Sequence, residues 1–520
     1  MNCQLAVVSV VSIGISLKLS ILSVAIIFLD VIVGRTRLSF WPREFFNSEL
    51  GISVKALKRP LVNGFPNTIH IWRRTMFKII DIHSKLNYRS LLFVLMGIVG
   101  PFNLVNSAEL MGSGVSVIHA GTLLSNPGSN PSKRQTIVIR DGKIVSVNDG
   151  FLAVEDIDET AKLIDLSASF VMPGLMDMHV HLQGELGPDD DRQRLRMSSA
   201  DVLMESVHHA KLTLLAGFTT VRDVGSQSEE MYALRDAASK GWVLAPRIIA
   251  AGGVSVTGGH GDVDGMNPDL MEMYTSKTVC DGPYDCRRAT RRAIKFGADM
   301  IKITSTGGVL SDTNTGTAQQ MTNGELKEVV DTAHGLGRKV ASHAHGADGI
   351  NAALRAGVDS IEHGSYANKE SIRLFKKTGA YLVPTLLAGN TVMKMAKESD
   401  FMSETIKVKA IDVSSAMAGN FTKAYNAGVN IAFGTDSGVS QHGVNAQEAV
   451  LMYEAGMSTS DILQSATVNA AALIDYSDSL GTIESGKHAD IIAMQRSPLE
   501  DITALLEVQF VMSGGMIVKQ

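Results

Sequence analysis

His179 and His181, one residue apart, close an apolar run that turns through Pro173-Gly174. Alternate side chains of a strand share a face, so both imidazoles point the same way and can chelate one cation. The same spacing returns at His343 and His345, after Lys339-Val340-Ala341-Ser342. Single candidates follow: Asp223, His260 in the glycine-rich stretch Thr257 to Asp262, His363 closing Ser360-Ile361-Glu362-His363, and Asp436 in Phe433-Gly434-Thr435-Asp436-Ser437. Lys302 stands inside the apolar run Met300-Ile301-Lys302-Ile303-Thr304. A buried ammonium is costly unless paired or neutralised. An amine whose pKa falls on burial can take up carbon dioxide and become a carbamate, an anionic bridging ligand. Each residue alone also has a plain structural reading, as a core or surface histidine or a salt-bridged lysine. Their recurrence at successive strand ends points to a metal centre.

The elements that must carry these residues alternate. Apolar strand patterns cover Phe170 to His179, Thr219 to Val224, Arg247 to Ala251, Met300 to Thr304, Val340 to His343, Ser360 to His363, Tyr381 to Thr385 and Asn430 to Gly434. Helical patterns lie between many of them: Ala200 to Leu215, Glu229 to Lys240, Cys286 to Phe296, Thr322 to Leu336, Gly346 to Ala356 and Lys369 to Lys377. This alternation predicts an α/β chain with a (β/α)8 TIM barrel, whose chemistry sits where strands end. Short β-type runs flank it: Val115 to His119, Thr136 to Arg140 and Lys143 to Val147 before, His488 to Met494 and Val508 to Val518 after. The two ends are expected to pair in one small β-sandwich, residues 109–169 with 477–520, with the barrel of residues 170–476 inserted between them.

A formal net charge of -5 and 19% charged residues, with no basic patch, argue against a nucleic-acid binder. The three cysteines, Cys3, Cys280 and Cys286, make neither a disulfide scaffold nor a thiolate zinc site. Leu5 to Val33 is apolar enough to span a bilayer and is followed by an unpatterned stretch. A second signal starts at Met76: Lys78, Lys85 and Arg89, the apolar Leu91 to Val99, and the small-residue end Asn106-Ser107-Ala108. That is the layout of a secretory signal peptide. The expectation is therefore that residues 1–75 are an over-extended or unstructured region and residues 76–108 a signal peptide, giving a periplasmic or secreted protein. The alternative is a membrane anchor through the N-terminal apolar segments. In an oxidising compartment, Cys280 and Cys286 could pair across their turn-forming spacer.

The motifs PGLMDMHVH, IKITSTGG, SHAHG, SIEHG and FGTDS together resemble the metal-dependent amidohydrolase superfamily, over about Gly114 to the C-terminus. Within it, TGGHGD, CDGPYDCRRA and HAHGADGI look like the Xaa-Pro dipeptidase (prolidase-like) and ochratoxinase-like branch. The resemblance implies a binuclear zinc carboxypeptidase or amidase acting on a small molecule or dipeptide: Xaa-Pro, related dipeptides or N-acyl amino acids. It assigns His179, His181 and Asp436 to one Zn2+, His343 and His363 to the other, and carboxylated Lys302 as the bridge. His343 is preferred over His345 because it ends the apolar run, with an exchange of the two as the alternative. Asp436 would take the proton of the attacking water and pass it to the leaving amine. His260 looks like the donor to the tetrahedral oxyanion, and Tyr366 like the residue that holds a substrate's α-carboxylate, with His345 nearby. Loop and packing roles are the plain readings of His260 and Tyr366. Imidazolonepropionases are related but mononuclear, and the strand lysine argues against them. A lactonase or phosphotriesterase would keep the same metals. A non-catalytic barrel scaffold would be expected to have lost ligands. Homo-oligomerisation is compatible with the resemblance.

Overall fold

The computed structural model describes residues 114–189, 193, 195–226, 228–312 and 315–520. The two segments expected as an over-extended region and a signal peptide lie outside the described residues. Among the described residues no helix is long and apolar enough to cross a membrane.

In chain order the strands are β1 (Val115–Leu123), β2 (Ser132–Arg140), β3 (Lys143–Asp149), β4 (Lys162–Pro173), β5 (Leu175–Val180), β6 (Phe218–Asp223), β7 (Arg247–Val256), β8 (Val279–Cys280), β9 (Met300–Thr304), β10 (Val340–Ala344), β11 (Ser360–His363), β12 (Tyr381–Val383), β13 (Asn430–Ile431), β14 (Ile491–Met494), β15 (Phe510–Ser513) and β16 (Met516–Lys519). They form two sheets. The first has seven strands in the order β16-β15-β14-β4-β1-β2-β3. Its two halves join where β14 runs antiparallel to β4, with Ile491 opposite Pro173 and Met494 opposite Phe170. Ile118, Ile137, Ile164, Val171, Ile491, Phe510 and Met512 form one buried cluster there, so residues from both ends of the described chain share a core. Where a sandwich was expected, the structure has one seven-stranded sheet.

The second sheet runs β13-β12-β11-β10-β9-β7-β6-β5, with β8 added beside β7. Its neighbours are parallel throughout. All residues of β5, β6, β9, β10 and β11 are buried. Burial on both faces explains why these strands read as near-continuous apolar runs. Register places Lys302 opposite Ala341 and His363 opposite Ala344. Beyond β13, the chain lies against β5: Met178 N donates to Phe433 O (2.8 Å), Asp436 N to His179 O (2.7 Å) and His181 N to Ser437 O (2.7 Å).

The run Phe170 to His179 is not one strand, because Phe170 to Pro173 completes β4 and β5 begins at Leu175. The boundary at residue 170 thus falls inside the first sheet. Proline offers no ladder donor, and a Cβ on Gly174 would come within 2.3 Å of Thr219 Oγ1, so the chain changes sheet at a position only glycine fits. The helices Leu386–Glu398 and Glu404–Asn426, between β12 and β13, were missed. The second buries Ala410, Val413, Met417, Phe421 and Ala424, a helical spacing behind an N-cap serine, Ser403.

Candidate metal centre

The C-terminal ends of the parallel strands bring the candidate ligands together. His179 Nε2 and His181 Nε2 lie 3.3 Å apart. Asp436 Oδ1 stands 3.4 Å from the first and 3.0 Å from the second. Donor atoms of His179, His363 and Asp436 fall within 4.8 Å of one another, as do those of His343, His345 and His363. His363 belongs to both groups, so they are two halves of one centre.

A common device aims these rings. His179 Nδ1 is 2.8 Å from Glu362 Oε2, His345 Nδ1 2.7 Å from Ser365 Oγ, and His363 Nδ1 2.7 Å from Thr385 Oγ1. Engaging Nδ1 turns each Nε2 towards the cluster, and for His179 the carboxylate partner, which only accepts, also fixes the tautomer that leaves a lone pair on Nε2. Burial, reinforced by neighbouring imidazoles, pushes His343 and His363 well below the ordinary histidine range. Burial and His260 take His345 to about 3. Buried His343 Nε2 and Asp436 Oδ1 have no hydrogen-bond partner among the described residues. Neutral imidazoles and a carboxylate oxygen facing one another without donors form a set that a divalent cation satisfies. Lys302 is buried, with Nζ 3.3 Å from Val224 O, and burial lowers its pKa.

The backbone is strained at these residues. His363, Thr385 and Asp436 have φ of 68°, 50° and 59°, the left-handed region that non-glycine residues avoid. Asp177 holds one of them in place. Fully buried, it accepts from His179 N (3.0 Å), Thr435 N (3.1 Å), Thr435 Oγ1 (2.7 Å) and Asn445 Nδ2 (2.9 Å), tying β5 to the segment that carries Asp436.

A model of the amidohydrolase family matches residues 170–518. The ochratoxinase of Aspergillus niger is 31% identical over 436 residues, covering 78% of this chain and 87% of that protein. A crystal structure of a Xaa-Pro dipeptidase with methionine bound in its active site superposes with a TM-score of 0.74 at 40% identity, covering 78% of this chain and all of the other. A prolidase complexed with N-methylphosphonate-L-proline superposes with a TM-score of 0.71 at 30% identity, over 78% of this chain. The chain belongs to the amidohydrolase family. It falls in the prolidase and ochratoxinase-like branch and is a hydrolase of carbon–nitrogen bonds with small-molecule substrates. The family typically uses divalent metals, and the histidine and aspartate cluster offers donors for them.

Around this amidohydrolase cluster the remaining candidates take separate places. His260 lies beside it, its ring centroid 4.2 Å from that of His343, with Nδ1 2.8 Å from Ser311 Oγ. Burial and the charge of Lys302 lower its pKa to about 4, so the ring is neutral at pH 7. Tyr366 is half-buried, and its hydroxyl donates to Asp412 Oδ2 at 2.5 Å. Asp223 is not in the cluster; it accepts from Leu182 N and Ser226 Oγ and shapes the loops after β5 and β6. The sequence reading missed Glu362 and Arg222. Glu362 is fully buried between His179 Nδ1 and Arg222 Nη2, each at 2.8 Å. Burial opposes its charge, but Arg222 and His179 hold it at about 2. The available signal was a carboxylate beside His363 in a strand buried on both faces, which needs a partner cation. Cys280 and Cys286 form a disulfide with Cα atoms 4.9 Å apart, as their spacer allowed.

Proposed function

We propose that this amidohydrolase is a binuclear, zinc-dependent dipeptidase or carboxypeptidase that cleaves the amide bond of Xaa-Pro or related dipeptides or of N-acyl amino acids. The observation that carries this reading is the pair of donor groups sharing His363, one with a carboxylate and one made only of imidazoles. His179, His181 and Asp436 would hold one cation, and His343 and His363 the other, with His345 as the alternative to His343. The imidazole group has no anion of its own. Lys302 would supply one as a carbamate, formed when its neutral amine adds carbon dioxide and loses a proton; its lowered pKa favours the amine form required. Divalent cations held there would acidify water and polarise a carbonyl.

The chain's own residues then divide the work. Asp436 receives the proton of the attacking water and returns it to the leaving amine. His260, neutral, donates a hydrogen bond to the oxyanion. Glu362 and Arg222 keep His179 in its ligating tautomer. Tyr366 would meet a substrate carboxylate only by exchanging Asp412 for it. A (β/α)8 barrel is the architecture we assign to the chain from β5 to about residue 476, supported by the hydrogen bonds from β5 to the segment after β13. The disulfide favours an oxidising compartment, in line with a signal peptide at 76–108 and a periplasmic or secreted enzyme.

The test is elemental analysis of the purified protein together with a panel of dipeptides, N-acyl amino acids, lactones and phosphotriesters. Two zinc ions per chain and turnover of a dipeptide or N-acyl amino acid are expected. Turnover confined to lactones or phosphotriesters would overturn the substrate assignment, and absence of both metal and turnover would leave a binding scaffold.

A further inference from the structure

We propose that Lys409 is a positioning residue for His260, acting through the turn Gly308 to Ser311; the inference rests on the role given to His260 above. His260 lies on a loop after β7 and could not orient its ring from its own backbone alone. Its N donates to Gln320 Oε1 at 2.7 Å and its O accepts from Thr304 Oγ1, which fixes the main chain and leaves the imidazole free to rotate. The ring is stopped by the turn. Gly308 backs directly onto it: a Cβ there would lie 2.3 Å from Cε1 and 2.5 Å from either ring nitrogen of His260. Ser311 Oγ lies 2.8 Å from Nδ1. One turn thus supplies both the wall of the slot and the hydrogen-bond partner of Nδ1. With the serine hydroxyl donating to Nδ1, the proton sits on Nε2, the form that serves as an oxyanion donor.

Lys409 ties both ends of that turn. From the helix Glu404–Asn426, its Nζ donates to Gly308 O at 3.2 Å and to Ser311 O. A second brace enters from the N-cap of the same helix, where Ser403 Oγ donates to Asp312 Oδ1 at 2.8 Å, while Asp312 N donates to Asp264 Oδ1 at 3.1 Å on the loop that follows His260. The helix is therefore anchored to both loops that define the histidine's position. A half-buried ammonium directed at two carbonyls of one short turn fixes a conformation that a neutral side chain of similar length would leave loose.

The experiment compares Lys409→Met, Lys409→Arg, Ser311→Ala and His260→Ala, singly and as the doubles Lys409→Met/His260→Ala and Lys409→Met/Ser311→Ala. For each, kcat and KM on a hydrolysed dipeptide, bound zinc and Tm are measured on the whole protein. Lys409→Met is expected to lower kcat by about 10- to 100-fold, the range for groups that orient a catalytic residue. KM should change by less than about threefold and zinc not at all, and Lys409→Arg should recover most of the loss. In the His260→Ala background, Lys409→Met should cost less than about twofold more, because the group it acts through is gone, and in Ser311→Ala its effect should be reduced but not abolished, because the Gly308 wall remains. If Lys409→Met fails to fold, Lys409→Gln takes its place, keeping a polar side chain on the helix without the charge, and the same loss of kcat with zinc retained is expected. Equal losses from Lys409→Met with and without His260, or wild-type kcat in Lys409→Met and Ser311→Ala while His260→Ala is crippled, would overturn this inference and leave the active-site reading standing. Full turnover in His260→Ala would instead overturn the role of His260 itself.

Discussion

The histidine pairs at the ends of β5 and β10 share a spacing and a neighbour, His363, and differ in the charge and exposure of what else surrounds them. His179 and His181 converge on one carboxylate, Asp436, at 3.4 and 3.0 Å. His343 and His345 stand at 88° to each other with centroids 4.6 Å apart, and their third partner is another imidazole, His363. His181 keeps 31% of its side chain exposed, whereas His343 and His345 are buried. Alternation along a strand sets which face a pair occupies, and the neighbouring strand decides whether an anion or a neutral ligand meets it there. Beside β5 that neighbour is the segment after β13, which brings Asp436; beside β10 it is β11, which brings His363.

The sharpest break in this contrast is Asp436→Asn. It removes the anion of the β5 pair and the proposed proton carrier together, and kcat should fall by about 10³-fold or more; a loss under tenfold in a steady-state assay would remove Asp436 from the mechanism. Next comes the missing anion of the other half. Lys302→Ala should lower turnover about 100-fold or more and reduce bound zinc, and acetate or propionate should restore part of the activity by entering the vacated space. The same acids should do nothing for His343→Ala. Two zinc ions and near-normal turnover in Lys302→Ala would remove the carbamate.

Within the β10 pair, His343→Ala should lose zinc, while His345→Ala should keep it and lose about tenfold in turnover, by elemental analysis and kinetics. The reverse pattern would exchange their roles. The smallest effect belongs to a residue outside both pairs. Cys280→Ser opens the disulfide beside the end of β7, and should lower stability by about 2 kcal/mol in denaturant unfolding with zinc content unchanged.

Much of this centre was legible in the chain. Histidines at strand ends, a lysine within an apolar strand and an aspartate after glycine and threonine are conspicuous because burying them without partners is costly. The groups that aim them were not legible. Ser365, Thr385 and Ser311 are ordinary hydroxyls until the fold sets each within 2.8 Å of an imidazole nitrogen. Glu362 and Arg222 are 140 residues apart and read as unrelated charges. The strand patterns located the parallel sheet, yet the change of sheet at Gly174 depends on the approach of Thr219, which no local pattern contains.

The sequence by itself determined the alternation of strands and helices, the strand-end placement of most of the candidate ligands and the pairing of the β-rich ends, because periodicity and the cost of buried charge are local properties. Only the tertiary structure decided that His363 lies in both groups of donors, that Tyr366 faces Asp412 and that a helix not foreseen in the chain braces the turn beside His260. Those relations are distances between residues remote in sequence, and they exist only once parallel strands have brought their ends to one side of the sheet.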